Sequence, residues 1–305
     1  MTRASSFQRL AIWTTAATYF LILVGGLVRA SGAGLGCPDW PRCFGSWIPP
    51  SSAADLPPQF DPSLFNPTLM WTEYLNRLLG VTVGFLILAS VVSAWRHHRH
   101  DPRILWSSVA ALLLTGFQGW LGGRVVAHEL AAWIVTAHMI VALVIVQLLL
   151  YATVSARSHG ASSSGTLRAP ITRGTLFLIL VTMIQIAIGT QVRGAVDEAL
   201  DGGVPRAGAV ASVGMIDHLH RGAAVVVLVG SLLMVLWIWS RFRGERTLIR
   251  WASVVAGLAT AQVGLGVVMA YVSLFPAAQV GHLAIASLLL GAETVLLLLS
   301  NTGRR

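Results

Sequence analysis

Three histidines, His138, His220 and His282, each stand inside an otherwise apolar run, and Arg221 follows His220 as Arg77 follows Asn76 in "WTEYLNRLLG", residues 71 to 80. Neutral imidazoles are the commonest protein ligands for metals, and two of them on facing helices can clamp an iron porphyrin from both faces. Glu73, three positions before Asn76, adds a carboxyl that can take up and release protons. Zinc or copper is the competing metal reading. It fits less well, because two imidazoles with no thiolate or third ligand nearby are too few for a closed site. The CxxCH attachment signal is missing, so any haem is held noncovalently.

Polar groups of this kind are costly to bury in lipid, and the chain that carries them is built for lipid. Of its 305 residues 55% are hydrophobic and 11% charged, which excludes an ordinary soluble globule. Eight apolar segments reach the roughly 20 residues that cross a bilayer as helix, near 11–29, 71–95, 104–123, 131–153, 174–193, 214–240, 250–271 and 277–299. Helices are expected because an open sheet edge cannot satisfy its backbone in lipid, and the runs show no barrel-like alternation. The first span is too long for a cleaved signal peptide and leads straight into a polar loop.

A second polar opening, "IDHLHRGAAV", aligns with the first. At a constant offset of 144 residues Glu73 meets Asp217, Asn76 meets His220, Arg77 meets Arg221, Gln118 meets Gln262, Gly122 meets Gly266 and His138 meets His282. The first helix of each half fits at an offset of 164, pairing Gly25 with Gly189 and Arg29 with Arg193. The fold expected is therefore an all-α polytopic membrane protein of eight transmembrane helices, arranged as two parallel-repeat four-helix bundles. The halves are 1–156 and 173–305, joined by a Ser/Gly-rich linker at 157–172. Asn76, His138, His220 and His282 each fall about two turns inside the outer end of an even-numbered span. His218 lies about 200° around the helix from His220 and cannot share its face.

All 21 basic residues are arginine, and they cluster on alternate connections: Arg3 and Arg9, "RHHRHDPR", Arg157 to Arg173, "RFRGER", and Arg304 with Arg305. The positive-inside rule puts both termini in the cytoplasm of a multi-pass cell-membrane protein. The formal charge of +9 is then a topology signal with some attraction to membrane lipid, and no nucleic-acid partner is expected. The histidines of "RHHRH" belong to a cytoplasmic loop, where a metal site is a minor reading. Cys37 and Cys43 fall in an outer loop, where a disulfide is expected. Two roles stay open for it, a structural staple and an exchangeable redox pair.

With these residues together the chain resembles the haem A synthase family over essentially its whole length. The resemblance rests on eight spans in two halves, the cysteine pair in "GLGCPDWPRC", the glutamate of the second span, the arginine after the ligand position, and histidines in the fourth, sixth and eighth spans. It implies oxidation of a methyl group of haem O to the formyl group of haem A, the cofactor of terminal oxidases. It further implies a haem b between His220 and His282 and a substrate haem in the first half, where the family's two histidines match Asn76 and His138. Asparagine is a poor iron ligand. Three readings stand there: His138 holds the iron alone and leaves an open face, His128 substitutes, or tight binding is lost.

The resemblance implies a catalytic role for Glu73, and the other reading is a structural ion pair with Arg77 or Arg29. Arg77 and Arg221 are candidates to neutralise haem propionates; Arg221 can equally snorkel to the interface. Haem O synthase, terminal-oxidase assembly factors and a thiol-disulfide partner are the implied protein partners. Two functions from other classes remain, a b-type haem membrane protein that only relays electrons and a transporter.

Overall fold

The computed structural model describes residues 6–156, 169–206 and 208–301, and regular structure among them is helical apart from one isolated bridge between Cys43 and Ser46. The long helices are α1 Ser6–Ala30, α2 Pro67–His98, α3 Pro102–Ala127, α4 Ala132–Ser155, α5 Ala169–Asp201, α6 Met215–Arg241, α7 Arg246–Tyr271 and α8 Pro276–Asn301. Each is long and apolar enough to cross a bilayer, so the chain is a multi-pass membrane protein.

Several helices outrun the apolar segments that announce them. The side chain of Asn66 caps the Thr68 and Leu69 N–H groups ahead of Pro67, which starts α2 a full turn before Trp71. Asp101 and Pro102 start α3 in the same way. At its other end α5 continues to Asp201 through charged residues that hydropathy excludes. Its beginning takes 169–172 out of the expected linker, whose residues 157–168 lie outside the described residues.

Helix α1 packs on α2 and α4, with α3 between α2 and α4; α5 packs on α6 and α8, with α7 between α6 and α8. Contacts of α1 with α8, α4 with α5 and α4 with α8 join the two sets. Helix α8 is the central element: 61% of its apolar window is buried, against 17–33% for the others. Its composition suits that place, since Gly291 lets Tyr19 of α1 approach and Glu293, fully buried, accepts a 2.9 Å hydrogen bond from Thr182 of α5.

The connection between α1 and α2 folds back over the ends of α2 and α3. The Cys37–Cys43 disulfide is formed, with Cα atoms 4.8 Å apart, and both cysteines are buried with Phe44 and Met70. Asp39 accepts the Phe44 and Gly45 N–H groups at 2.6 and 2.9 Å, and Tyr74 of α2 donates to the Trp47 carbonyl at 2.7 Å. Gly36 brings the loop backbone against α2, where a Cβ would lie 2.5 Å from the Leu69 carbonyl carbon and 2.8 Å from the Met70 nitrogen. Backbone cannot yield as a side chain can. Gly36→Ala is therefore expected to lift this segment off α2 and cost about 1–3 kcal/mol, read as a lower unfolding temperature and faster trypsin cleavage after Arg42 in detergent.

Candidate functional site

On α6 Asp217 is buried in the first turn, and Arg221, one turn on, closes a 2.6 Å ion pair with it. The same guanidinium donates to the Tyr271 hydroxyl at 2.8 Å. Between them His220 projects toward His282 of α8, with ring centroids 6.3 Å apart and planes inclined by 60°. Two metal–imidazole bonds of roughly 2 Å each, plus half a ring on either side, place ring centres about 6 Å apart. The pair thus has the spacing that an iron between two imidazoles requires.

Further details of the surroundings fit a bis-imidazole centre. The Nδ1 atom of His220 lies 3.2 Å from the Gln185 carbonyl of α5. A carbonyl only accepts, so Nδ1 carries the proton and Nε2 keeps its lone pair for a metal. Glycines let the flanking helices approach the rings: a Cβ on Gly189 of α5 would stand 2.9 Å from His220 Cε1, and one on Gly266 of α7 would stand 3.6 Å from His282 Cε1. Among the described residues no three His, Cys, Asp or Glu side chains converge as a closed zinc or copper site needs, and this includes the "RHHRH" connection.

The other constellation repeats part of this arrangement and departs from it at one position. Glu73, 4% exposed, pairs with Arg77 and accepts the Cys37 N–H at 2.8 Å. Arg77 in turn donates to the carbonyls of Asp39 at 2.7 Å, Arg42 at 2.8 Å and Cys37 at 3.2 Å. The pair therefore ties the disulfide loop to α2. Arg29, the other partner considered for Glu73, instead pairs with Asp197 of α5.

His138 sits on α4 over Gly122 of α3, whose Cβ would lie 3.5 Å from its Cε1, and its carbonyl accepts from Gln118 at 2.8 Å. Its Nδ1 is buried without a hydrogen-bond partner, as is Asn76 Oδ1. A Cβ on Gly25 of α1 would meet nothing within 4 Å, whereas its repeat counterpart Gly189 abuts an imidazole.

His128 terminates α3, its Nε2 3.1 Å from Arg124 and its ring edge-on to Trp133. His218 belongs to the exposed surface of α6. Sequence reasoning missed Gln185 as the carbonyl that orients His220. It also missed the cluster in which Asp197 holds both Arg29 and Arg193 at 2.7 Å. For the arginines a signal existed, since they match at the offset of 164; nothing in the spacing pointed to their shared acid.

The sequence model of the cytochrome oxidase assembly protein family COX15-CtaA matches residues 8–294. Among curated proteins the chain is similar to the haem A synthase of Shouchella clausii, 27% identical over 282 residues that cover 87% of each chain. The haem A synthase of Alkalihalophilus pseudofirmus is 26% identical over 264 residues, covering 82% of this chain and 83% of its own. That of Shewanella oneidensis is 32% identical over 172 residues, 53% of this chain and 50% of its own.

Proposed function

Because the chain belongs to the COX15-CtaA family of cytochrome oxidase assembly proteins, we propose that it is a haem A synthase that oxidises a methyl group of haem O to the formyl group of haem A. The observation that carries this reading is the His220–His282 pair at 6.3 Å, joined to relatives named for that product. In this reading His220 and His282 hold a resident haem b, which when bound supplies one-electron redox chemistry. Substrate haem O lies in the first half on His138, with Asn76 facing it and leaving one side of the iron without a protein ligand.

Turning a methyl into a formyl group is a four-electron oxidation that releases protons, so a carboxyl near the substrate has work to do. Glu73 is assigned that role, with its Oε2 held by the Cys37 N–H and its Oε1 by Arg77. Its charge is thereby compensated and its position fixed by the disulfide loop. Arg77 and Arg221 keep the carboxylates of Glu73 and Asp217 in place beside the two sites. The loop would shield Glu73 from water, since its buried face packs on Met70 and Tyr74 in the turn of α2 that bears this buried carboxylate.

The two halves, 1–156 and 173–305, are read as copies of one four-helix unit, supported by the matched ion pairs and by glycines at matched histidines. In this reading, supported by the arginine clusters, both termini lie in the cytoplasm and the histidines toward the outer face of the cell membrane. Haem O synthase would deliver the substrate, oxidase assembly factors would take the product, and a thiol-disulfide partner would act on Cys37–Cys43.

The test is to express the full chain in cells that make haem O but no haem A, extract the pigments and separate them by mass. Haem A is the expected new pigment; haem O and protohaem alone, from a membrane containing the folded protein, would refute the assignment. In the same assay Glu73→Ala is expected to keep the reduced haem b band while haem O accumulates and haem A falls by about 10²-fold or more.

A further inference from the structure

Both arginines first suggested as partners of porphyrin carboxylates are engaged elsewhere. Arg77 is directed to Glu73 and three loop carbonyls, and Arg221 to Asp217 and Tyr271. A cluster at the junction of the halves is differently balanced. Arg29 Nη2 lies 2.7 Å from Asp197 Oδ2 and Arg193 Nη2 lies 2.7 Å from Asp197 Oδ1. Two guanidinium groups thus share one carboxylate, and Arg193 Nε is buried with no acceptor. The position matching Asp197 in the first half is Ala33, which brings no second acid. A partly buried cluster with one cation in excess favours a further anion.

The register of the helices says where that anion comes from. Gly189 touches the His220 ring, and Arg193 stands one turn further along the same face of α5. Gly25 is the counterpart of Gly189 at the offset of 164, and Arg29 stands one turn further along α1. Arg193 therefore lies one turn beyond the His220 ring, Arg29 holds the equivalent place in the first half by the repeat, and Asp197 joins the two. Just below, Thr136 of α4 and Thr190 of α5 are 2.5 Å apart and Gln191 donates to Thr136 at 2.6 Å, so the seam between the halves is polar at this level.

Resting on the haem reading above, we propose that Arg193 and Arg29 bind carboxylate side chains of the porphyrins in the second and first halves respectively, with Asp197 as their shared counter-ion. The ligand chemistry is a propionate, and a lipid phosphate is the other source of a matching anion. Asp197 competes with each propionate for its arginine, so filling one site frees the acid for the other arginine and weakens that arginine's hold on its own propionate.

The test titrates the full-length protein in micelles with haemin and with haemin dimethyl ester, in which the carboxylates are masked. Wild type is expected to prefer the free acid by about 10-fold to 100-fold at both sites. Arg193→Gln should abolish that preference at the site giving the bis-imidazole spectrum and lower it without removing it at the other, because Asp197 is then left to Arg29 alone; Arg29→Gln should do the reverse. Asp197→Asn should raise the preference, a change of sign that misfolding cannot imitate. Equal binding of acid and ester by wild type, or a preference that survives both arginine substitutions, overturns the proposal. A lipid phosphate as occupant would appear as unfolding temperatures raised by phosphatidylglycerol in wild type but not in Arg193→Gln, with the acid preference intact, and that outcome also overturns it. Failure of wild type to bind haemin at all would instead remove the haem reading itself.

Discussion

Replacing His282 by alanine is expected to remove the resident haem b, with apparent affinity falling by more than about 100-fold, because loss of even an outer partner of a metal ligand typically costs 10–100-fold. The geometry explains why one ring cannot serve alone. His220 is oriented by the Gln185 carbonyl and confined by Gly189, so its Nε2 is held in one direction, and in the proposed site the second imidazole would be His282 of α8. His282→Ala leaves that direction unanswered. The protein should still insert and fold, since α8 is held along its length by Leu289, Leu290 and Leu296 and by Glu293 with Thr182. Reduced-minus-oxidised absorption spectra of matched amounts of variant and wild type check this. A variant with an undiminished haem b band would show that the two rings do not share an iron.

Asn76→His has the opposite sign. The substrate position of wild type is expected to offer one imidazole, His138, and an open face. A histidine at 76 would rebuild in the first half the pairing that His220 and His282 make in the second. The repeat supports it, because Gly25, the counterpart of the Gly189 that meets the His220 ring, meets nothing within 4 Å. Retention of haem O through purification should rise by about tenfold or more. The first-half iron should change from a high-spin form that binds carbon monoxide to a low-spin form that resists it. Carbon monoxide difference spectra of the haem O-loaded protein read the change, and an unaltered response in the variant would place position 76 away from the iron.

Much of this architecture is legible in the residue order. Runs of about 20 apolar residues announce all eight helices, and backbone chemistry in lipid leaves little choice of structure. Helix ends are less legible because they are set by local caps such as Asn66 and Asp101, which a hydropathy window averages away. Among the site residues, Asn76, His138, His220 and His282 emerge from the offset of 144, and Gly122 and Gly266, first seen only as repeat markers, turn out to lie under two of the rings.

Contacts between distant segments are what spacing does not carry. The tie from Glu73 to the Cys37 backbone crosses 36 positions, and the one from Arg29 to Asp197 crosses 168. Nor does hydropathy distinguish α8, central and mostly buried, from the peripheral α6, since the two are about equally apolar. A membrane helix is apolar toward lipid and toward its neighbours alike, so composition is silent about which side it faces.

The most direct measurement is the low-temperature electron paramagnetic resonance spectrum of the purified, oxidised full-length protein. Iron held between His220 and His282 should give the low-spin ferric signal of two axial imidazoles, in an amount matching the extracted protohaem. A high-spin signal alone at full protohaem loading would contradict the pairing of these rings on one iron, and the haem assignment of the second half with it.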